Sequence, residues 1–537
     1  MTTSDSGQNG DSVTFLGDFS KKLATNTFFN VLGRFWSFFV TLLLTPYIFK
    51  HLGARDYGIW ASFSVFIGSA NLLDLGLGSS FVKFVSAYYA DDDYRRINRA
   101  IFSGLIFYGF FGVALIGAGL AIGRPLLGFF GIGEAFQAYR FALIACAVQS
   151  VGAMILSVFR GIQRMDKANS VEMWMLAVSA VGTVVSIQTG HGLAGLAFNA
   201  LICSGITLFV SWTAVRRAVP RISLRLRFDG NLLREMFWYG AKMQVSQFGG
   251  LVGFSSPRFI ILKCLGPAAV TFYDLSSRLA SYMRAIPMMM ISALIPATSE
   301  LGVRNDRARI LKTYLLASKY VALVTVSLVA FTVLEAESVL KVWLGQDYGQ
   351  QALILQLLAI GYGVNILGGV ASQTGAGIGR PEFDMRGCVL LAILSPSLAL
   401  LLVFGFGVPG VAAGTSLALI GAALYLLATI HRKYLGTSPW AMLQEIHLRP
   451  LVAGVLANLA VIGFHRVFPA VVQLEQARIL IPMKILLDLA IFLPVYLVLL
   501  VALRQLTAMD WKNLLGLMAF GSEFLRHPFR ERVKIYR

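Results

Sequence analysis

Charged residues are scarce in this chain. Asp, Glu, Lys and Arg together make up 14% of the 537 residues, whereas hydrophobic residues make up 57% and the mean hydropathy is +0.70. Soluble domains carry about 25% charged residues, which cover their surfaces with water-facing groups. So few charges exclude a soluble globular protein, and the long apolar runs predict an all-α polytopic membrane protein.

The residue patterns of metal centres and common enzymes are also lacking. Cys146, Cys203, Cys264 and Cys388 are scattered, without CxxC or Cys/His spacing, so neither a disulfide framework nor a metal site is expected. The histidines are isolated, and no GxSxG, GKS/T or HExxH motif occurs in a credible context. We therefore expect no enzymatic activity, no cofactor and no metal. Without a P-loop, energy for transport would come from the membrane potential, an ion gradient or withdrawal of the product.

Acidic residues are the scarcer sign, with 27 against 46 basic residues and a net charge of +19. The basic residues cluster in alternate loops, such as 83–99, 160–167, 216–234 and 304–312, and the loops between them hold few. This is the positive-inside pattern, so the charge reports topology and nucleic-acid binding is not expected. It places both termini in the cytoplasm, which requires an even number of spans. About fourteen spans of the ~20 residues that a bilayer demands fit the chain.

One sequence pattern occurs twice. Leu52–Trp60 (LGARDYGIW) follows one apolar run and Leu265–Tyr273 (LGPAAVTFY) follows another, at a shift of 265 − 52 = 213 residues. Residues 190–195 and 405–410 repeat at nearly the same shift. A membrane protein built from two similar halves is most often a transporter with its substrate site between them. The 213-residue shift also maps Lys50, Asp93, Arg96, Ile97 and Arg99 onto Lys263, Asp306, Arg309, Ile310 and Lys312.

The repeat and the charge pattern together divide the chain into six predicted segments. These are a disordered cytoplasmic tail (1–20), an N-terminal six-helix bundle (21–218), a basic cytoplasmic linker (219–235), a C-terminal six-helix bundle (236–433), an extra helix pair (434–505) and a basic cytoplasmic tail (506–537).

Five short motifs carry a resemblance to a known family. In chain order they are Leu52–Trp60, Leu73–Leu77, Leu265–Tyr273, Val342–Tyr348 and Gly377–Pro381. They resemble signatures of the polysaccharide-transport, or O-antigen flippase-like, branch of the superfamily that includes multidrug extruders and lipid II flippases.

The resemblance implies two pseudo-symmetric six-helix bundles plus a final helix pair in the bacterial inner membrane. It also implies flipping of an undecaprenyl-pyrophosphate-linked oligosaccharide for O-antigen, capsule or exopolysaccharide synthesis, alongside a polymerase and glycosyltransferases as partners. Many relatives have an acidic residue near the position of Pro257 or Arg258. None is present there in this chain, so their cation-coupling site is not carried over.

Four arginines inside predicted spans are candidates for a cationic substrate cavity: Arg34, Arg258, Arg278 and Arg284. Arginine donates paired hydrogen bonds to phosphate, and charges at membrane depth usually face an interior or a water-filled path. Each also has a structural alternative. Arg278 follows Asp274 by four residues, the spacing of an intrahelical pair. Arg34 and Arg258 could extend to the lipid headgroups, and Arg284 could satisfy backbone left open by a nearby proline.

Acidic residues within spans are rarer still. Asp74 lies beside Gly76 and Gly78 in the second predicted span, where it could take part in proton or sodium coupling, pair with an arginine, or merely cap a bent helix. Asp488 follows Lys484 by four residues, so we expect a local ion pair near the end of the last span.

A flippase for lipid-linked oligosaccharides that works by alternating access fits these features best. A multidrug or cation antiporter is the main alternative, and it predicts about twelve spans and an acidic cavity. A lipid II flippase would have the same number of spans, but the N-terminal pattern of basic residues and serine that we would expect of one is missing here. A membrane scaffold would not need arginines at membrane depth, and an envelope enzyme should offer a clustered acid/base pair.

Overall fold

The structure, a computed structural model, describes residues 6–68, 77–222, 228–304, 306–345, 349–507 and 510. Within these residues the chain forms helices and turns, and no strand occurs. Eleven helices are long and apolar enough to cross a membrane, and one of them, Glu382–Leu435, has 54 residues, enough for two crossings. The prediction of an all-α polytopic membrane protein is confirmed, and these helices are compatible with about fourteen spans.

The helices group into two compact units, which we describe separately. Unit 1 takes the described residues of Met1–Tyr282 and Met385–Ala422, and unit 2 takes those of Met283–Asp384 and Ala423–Arg537. The predicted bundle boundaries followed the sequence repeat rather than packing, and they stay a prediction.

Unit 1 contains eight helices that lie before residue 284 in the chain. They are α1 (Ser6–Gly68), α2 (Leu77–Ala90), α3 (Tyr94–Phe129), α4 (Phe136–Gly161), α5 (Met165–Gln188), α6 (Gly192–Ala218), α7 (Gly230–Cys264) and α8 (Pro267–Met283).

Among the described residues, unit 2 begins with two short helices and ends with a long one. Its helices are α9 (Ala285–Ser292), α10 (Leu294–Val303), α11 (Arg307–Leu334), α12 (Ala336–Leu344), α13 (Gly349–Gly377), the two ends of α14 (Glu382–Ile430), α15 (Arg449–Val467) and α16 (Ile481–Ala502). Residues 385–422 of α14 belong to unit 1.

The repeat seen in the sequence sets matching helix starts. Asp93 caps α3 by accepting a 3.0 Å hydrogen bond from the backbone N–H of Arg96, and Asp306 caps α11 through a 3.0 Å bond from Arg309. Each aspartate satisfies a helix N–H that has no intrahelical partner. The next residues along, Ile97 and Ile310, are both fully buried. The 213-residue repeat is therefore a structural repeat.

Glycine and proline place the breaks in the long helices. Gly53 interrupts α1 with a φ of 77°, and Gly407 interrupts α14 with a φ of 60°, a region that only glycine adopts at low cost. Pro287 and Pro296 lie inside α9 and α10. Proline lacks the N–H that would bond four residues back, so the helix breaks at Arg284 and again at Ala293. The stretch 267–303 is thus three helical pieces.

Each unit has its own apolar core. In unit 1, buried residues of α2, α3 and α4, among them Phe81, Ile101 and Phe159, pack around the start of α7. In unit 2, α15 and α16 pack against α11 through Ala457 and Phe492, and the Tyr496 hydroxyl donates to Leu323 O at 2.9 Å. The predicted extra helix pair is therefore attached to α11.

Two predicted boundaries differ from the structure. Residues 6–20, predicted as disordered tail, are part of α1, because each residue added to an existing helix gains a hydrogen bond. Helix α7 begins at Gly230, within the predicted linker, because the carboxylate of Asp229 accepts from Leu232 N–H at 3.0 Å and caps the helix there.

Candidate functional site

The two copies of the repeated pattern touch each other in unit 1. The Thr271 hydroxyl donates a hydrogen bond to Ala54 O, and a Cβ added to Gly58 would lie 1.8 Å from Pro267 O. Adding 213 to 54 and 58 gives 267 and 271, so each contact is the mate of the other under the repeat. A contact in which residue i meets j, and j meets i, is the signature of a two-fold axis. The start of α8 and the part of α1 after Gly53 are therefore related by local pseudo-symmetry.

A buried carboxylate lies just beyond this contact. Asp274 Oδ1 accepts from Arg258 Nε at 2.9 Å, and Asp274 Oδ2 accepts from Arg278 Nε at 2.6 Å and from the Tyr57 hydroxyl at 3.0 Å. Only 2% of the Asp274 side chain is exposed. We call Tyr57, Arg258, Asp274 and Arg278 the Asp274 cluster. Its two arginines and one aspartate sum to one positive charge.

The two arginines of the cluster are held differently. Arg258 also donates to Phe254 O at 3.2 Å and to the Ser277 hydroxyl at 3.5 Å, and its side chain is 14% exposed. Arg278 is 26% exposed, and its bond to Asp274 uses one of five N–H donors. Arg258 is therefore fixed to helix α7 and to Asp274, whereas Arg278 keeps a forked end that is partly accessible.

Arg284 lies in unit 2, where the chain turns between α8 and α9. Its Nη2 donates to Asn365 Oδ1 at 3.3 Å, and its guanidinium lies 5.2 Å from the ring centre of Tyr362, a cation–π arrangement. These two partners are side chains of α13, and they leave the predicted role of satisfying open backbone untested. A substrate-facing role for Arg284 stays a prediction.

Arg34 lies on α1, on the part of the helix that packs against α5. That packing includes a 3.0 Å bond from Trp36 Nε1 to Met173 O and a 2.7 Å bond from Asn169 to Asn30. Arg34 itself is exposed, and we find no hydrogen bond or ion pair for it among the described residues. Asp74, the candidate coupling residue, lies outside the described residues.

A second buried cluster occurs in unit 2. Lys484 Nζ lies 2.9 Å from Glu335, 2.9 Å from Glu475 and 3.3 Å from Asp488, and His465 Nε2 lies 2.7 Å from Asp488 Oδ1. The predicted local pair of Lys484 and Asp488 is present, but it is one edge of a network that ties α16 to the end of α11 and to α15. Three carboxylates outnumber the lysine here, the reverse of the Asp274 cluster.

No set of three His, Cys, Asp or Glu side chains is arranged as a metal site among the residues that the structure describes. The expectation of no metal and no cofactor stays a prediction. Tyr57 was not among the site residues predicted from the sequence. Its position in the first copy of the repeated pattern, Leu52–Trp60, was the feature of the sequence that could have indicated it.

Known proteins are similar to this chain in sequence and in fold. The model of the family described as "Polysaccharide biosynthesis protein" matches residues 51–352, more than half of the chain. A Shigella flexneri protein named "Putative O-antigen transporter" is 24% identical over 404 residues, which cover 72% of this chain and 93% of that protein. A Haloferax volcanii protein named "Probable low-salt glycan biosynthesis flippase Agl15" is 21% identical over 374 residues, which cover 68% of this chain and 75% of that one.

Solved structures share the fold. An inward-facing multidrug resistance MATE family transporter of the MOP superfamily aligns with a TM-score of 0.66 and 18% identity, covering 75% of this chain and 96% of that one. The lipid II flippase MurJ in an inward closed conformation aligns with a TM-score of 0.66 and 15% identity, covering 88% and 99%. The resemblance drawn from the five motifs is thereby confirmed. The extensive family match shows that the chain belongs to the polysaccharide biosynthesis protein family.

Proposed function

We propose that this protein is a flippase that moves a lipid pyrophosphate-linked oligosaccharide, carried on undecaprenol, across the bacterial cytoplasmic membrane. It works by alternating access of two similar halves, and its product feeds surface polysaccharide synthesis. It is a transporter and performs no covalent chemistry on its cargo.

The similarity to the Shigella flexneri protein is the observation that carries the proposal. That relative is named as an O-antigen transporter, and the match covers 93% of its length, so the resemblance is not confined to one common helix pair. The Haloferax volcanii relative is named as a glycan biosynthesis flippase. Two relatives from distant organisms therefore carry names in the same class of transport.

The arginines supply the chemistry that such a cargo needs. Pyrophosphate is anionic, and a guanidinium binds it through parallel charge-assisted hydrogen bonds. Arg258 and Arg278 share the single carboxylate of Asp274, which leaves the cluster with a net positive charge. Eleven helices of the described chain each carry an apolar stretch of at least 18 residues, so this charge would be felt strongly by an anion that enters.

The contacts of the four candidate arginines indicate which of them is best suited to bind the anion directly. Arg278 is the best candidate for direct contact, since Asp274 holds its Nε and fixes the direction of its forked end. Arg258 is a positioning residue, because its nitrogens bond Asp274, Phe254 and Ser277. Arg34 is exposed on α1 and remains available to an anion. Arg284 would offer a further positive charge stacked on Tyr362.

The membrane context follows from the same proposal. Both termini lie in the cytoplasm, as the alternate basic loops indicate. A polysaccharide polymerase and glycosyltransferases act before and after it on the same lipid-linked sugar. An ion gradient or the membrane potential drives the cycle, and Asp74 is a candidate for coupling.

The proposal is tested by deleting the gene in its source organism and measuring surface polysaccharide and lipid-linked sugars. We expect surface polymer to disappear and lipid-linked oligosaccharide to accumulate on the cytoplasmic leaflet, with both reversed by the wild-type gene. Unchanged surface glycan and unchanged lipid-linked pools would refute the proposal. In that case, a screen for drug sensitivity would test the antiporter alternative.

A further inference from the structure

A basic cavity of about 780 Å³ lies in unit 2. It is not lined by any of the candidate arginines Arg34, Arg258, Arg278 and Arg284. It is formed by the beginning of α11, the segment 431–449 that leads into α15, and residues 504 and 505 after α16. We call it the basic cavity. Its charged lining residues are Lys312, Lys319, Glu445, Arg449 and Arg504.

Most of the positive charge in the basic cavity is not neutralised by the protein. Lys319 pairs with Asp510 at 2.7 Å. The side chains of Lys312, Arg449 and Arg504 are exposed, and none of these side chains forms an ion pair or hydrogen bond within the described part of the chain. Glu445 is the one carboxylate in the lining, so three cations face a single acid. An anion bound here would gain several charge-assisted hydrogen bonds.

An apolar groove of about 430 Å³ lies further along the same helix, α11. Lys319 lines the basic cavity, and Val326 and Val333 line the groove. These residues are seven apart and therefore lie on one face of α11. Across the groove, Leu451 and Val455 of α15 are four apart and about half exposed. A ligand could thus place a charged group in the basic cavity and an apolar chain in the groove.

Several buried polar atoms that line the groove, Thr325 Oγ1 and Asn458 Oδ1 among them, have no hydrogen-bond partner within the described residues. Thr325 Oγ1 lines the groove, its residue is 1% exposed, and it makes no hydrogen bond in the part of the chain that the structure describes. A buried hydroxyl without a partner costs free energy, so such a group suits a ligand that brings an acceptor. An ester carbonyl between a phosphate headgroup and its acyl chains is an acceptor of this kind.

We propose that the basic cavity and the groove together bind an anionic glycerophospholipid of the surrounding membrane. Charge complementarity selects the phosphate headgroup, the groove takes an acyl chain, and Thr325 donates to an ester carbonyl. Residues 511–537 carry six Lys or Arg against two Glu, the same sign of charge as the cavity, so they offer it no net negative charge. This lipid is a resident ligand that stabilises the packing of α15 and α16 on α11, and it is distinct from the transported cargo.

The test measures lipid binding to the purified, delipidated full-length protein by native mass spectrometry. Dioleoyl-phosphatidylglycerol is compared with dioleoyl-phosphatidylcholine, and each is titrated into the wild type and into the triple variant Lys312→Gln, Arg449→Gln, Arg504→Gln. We expect the wild type to prefer the anionic lipid, and the triple variant to bind it at least about tenfold more weakly. A matched control, Arg95→Gln, Lys167→Gln, Arg217→Gln, removes the same charge from exposed residues of unit 1 and should bind like the wild type.

Competition measurements and a groove variant in the same experiment identify the ligand. Inorganic phosphate at millimolar concentration should not displace the phospholipid, and polyprenyl phosphate should bind no better than phosphatidylglycerol. Val455→Trp, which fills the groove from the bilayer side, should weaken binding of the dioleoyl lipid but not that of dihexanoyl-phosphatidylglycerol. Equal binding by the wild type and the triple variant would overturn the proposal. Full displacement by phosphate, or a preference for polyprenyl phosphate, would overturn the assignment to a resident phospholipid.

Discussion

The two copies of the repeated pattern make equivalent backbone contacts, but the charged side chains of the Asp274 cluster beside the second copy have no charged counterparts beside the first. Under the 213-residue shift, Arg258, Asp274 and Arg278 of the second copy correspond to Thr45, Ala61 and Val65 of the first. Thr45 and Ala61 are as buried as Asp274. The Asp274 cluster has therefore been built on one side of a pseudo-symmetric contact. Symmetry explains where the helices meet, and the departure from it coincides with the site that we propose for an anion.

Among the substitutions that test this asymmetry, Asp274→Ala should have the largest effect on stability. It leaves Arg258 and Arg278, 14% and 26% exposed, close together without a carboxylate, which should cost up to about 3–5 kcal/mol in the free energy of unfolding. Thermal and denaturant unfolding of the purified protein in detergent would measure it. Glu300→Ala, which removes an exposed pair with Arg304, serves as control and should change little. Adding Arg258→Met and Arg278→Met to Asp274→Ala should recover much of the loss, and no recovery would contradict the account.

Gly58→Ala should disturb the symmetric contact itself. The new Cβ would lie 1.8 Å from Pro267 O, so the helices must separate, at a cost of about 1–3 kcal/mol. The control is Gly205→Ala, whose Cβ would meet nothing within 4 Å, and which should be neutral or stabilising by about 0.5–1 kcal/mol. If both variants unfold alike, the contact between the two copies is not close.

Tyr57→Phe removes the hydrogen bond from the first copy of the pattern to Asp274. The lost hydrogen bond goes to a charged acceptor, so we expect a destabilisation of about 1.5–2 kcal/mol. Tyr139→Phe is a matched control in the same unit, because its hydroxyl donates to the neutral Gly119 O at 3.0 Å, and it should cost about 1 kcal/mol or less. An equal loss in both variants would mean that the charge of Asp274 adds nothing.

Thr45→Val should have the smallest effect, although Thr45 occupies the position that corresponds to Arg258. The Thr45 hydroxyl bonds only to Thr41 O, one turn back on its own helix, at 2.7 Å. Such a bond adds little to stability, so we expect a change within about 0.5 kcal/mol in unfolding experiments and no change in transport. A large loss at Thr45 would show that the first copy also carries a site.

Local spacing predicted the parts of these clusters that lie on one helix. The four-residue interval from Asp274 to Arg278, and that from Lys484 to Asp488, both gave pairs that the structure contains. Pro287 likewise predicted a distorted turn near Arg284. The intervals work because residues four apart on a helix are neighbours whatever the tertiary fold.

Partners on other helices could not be predicted in this way. Tyr57 reaches Asp274 across 217 residues, and Glu335 reaches Lys484 across 149. No period in the sequence relates such residues, because helix packing decides which faces meet. For Tyr57, the repeat held the missing information, since two similar halves often meet at equivalent elements. The start of α1 at Ser6 was missed for another reason: its polar residues carry no membrane signal, and the helix simply continues.

The most direct test of the account compares Arg278→Gln with Val65→Gln, its counterpart in the first copy, in the deletion strain at equal protein abundance. Losing a forked phosphate contact should lower the rate at which lipid-linked oligosaccharide reaches the outer leaflet at least about tenfold. We predict that Arg278→Gln accumulates this lipid on the cytoplasmic leaflet and makes little surface polymer, whereas Val65→Gln behaves as the wild type. Wild-type surface polymer from Arg278→Gln would contradict the claim that the asymmetric cluster binds the cargo.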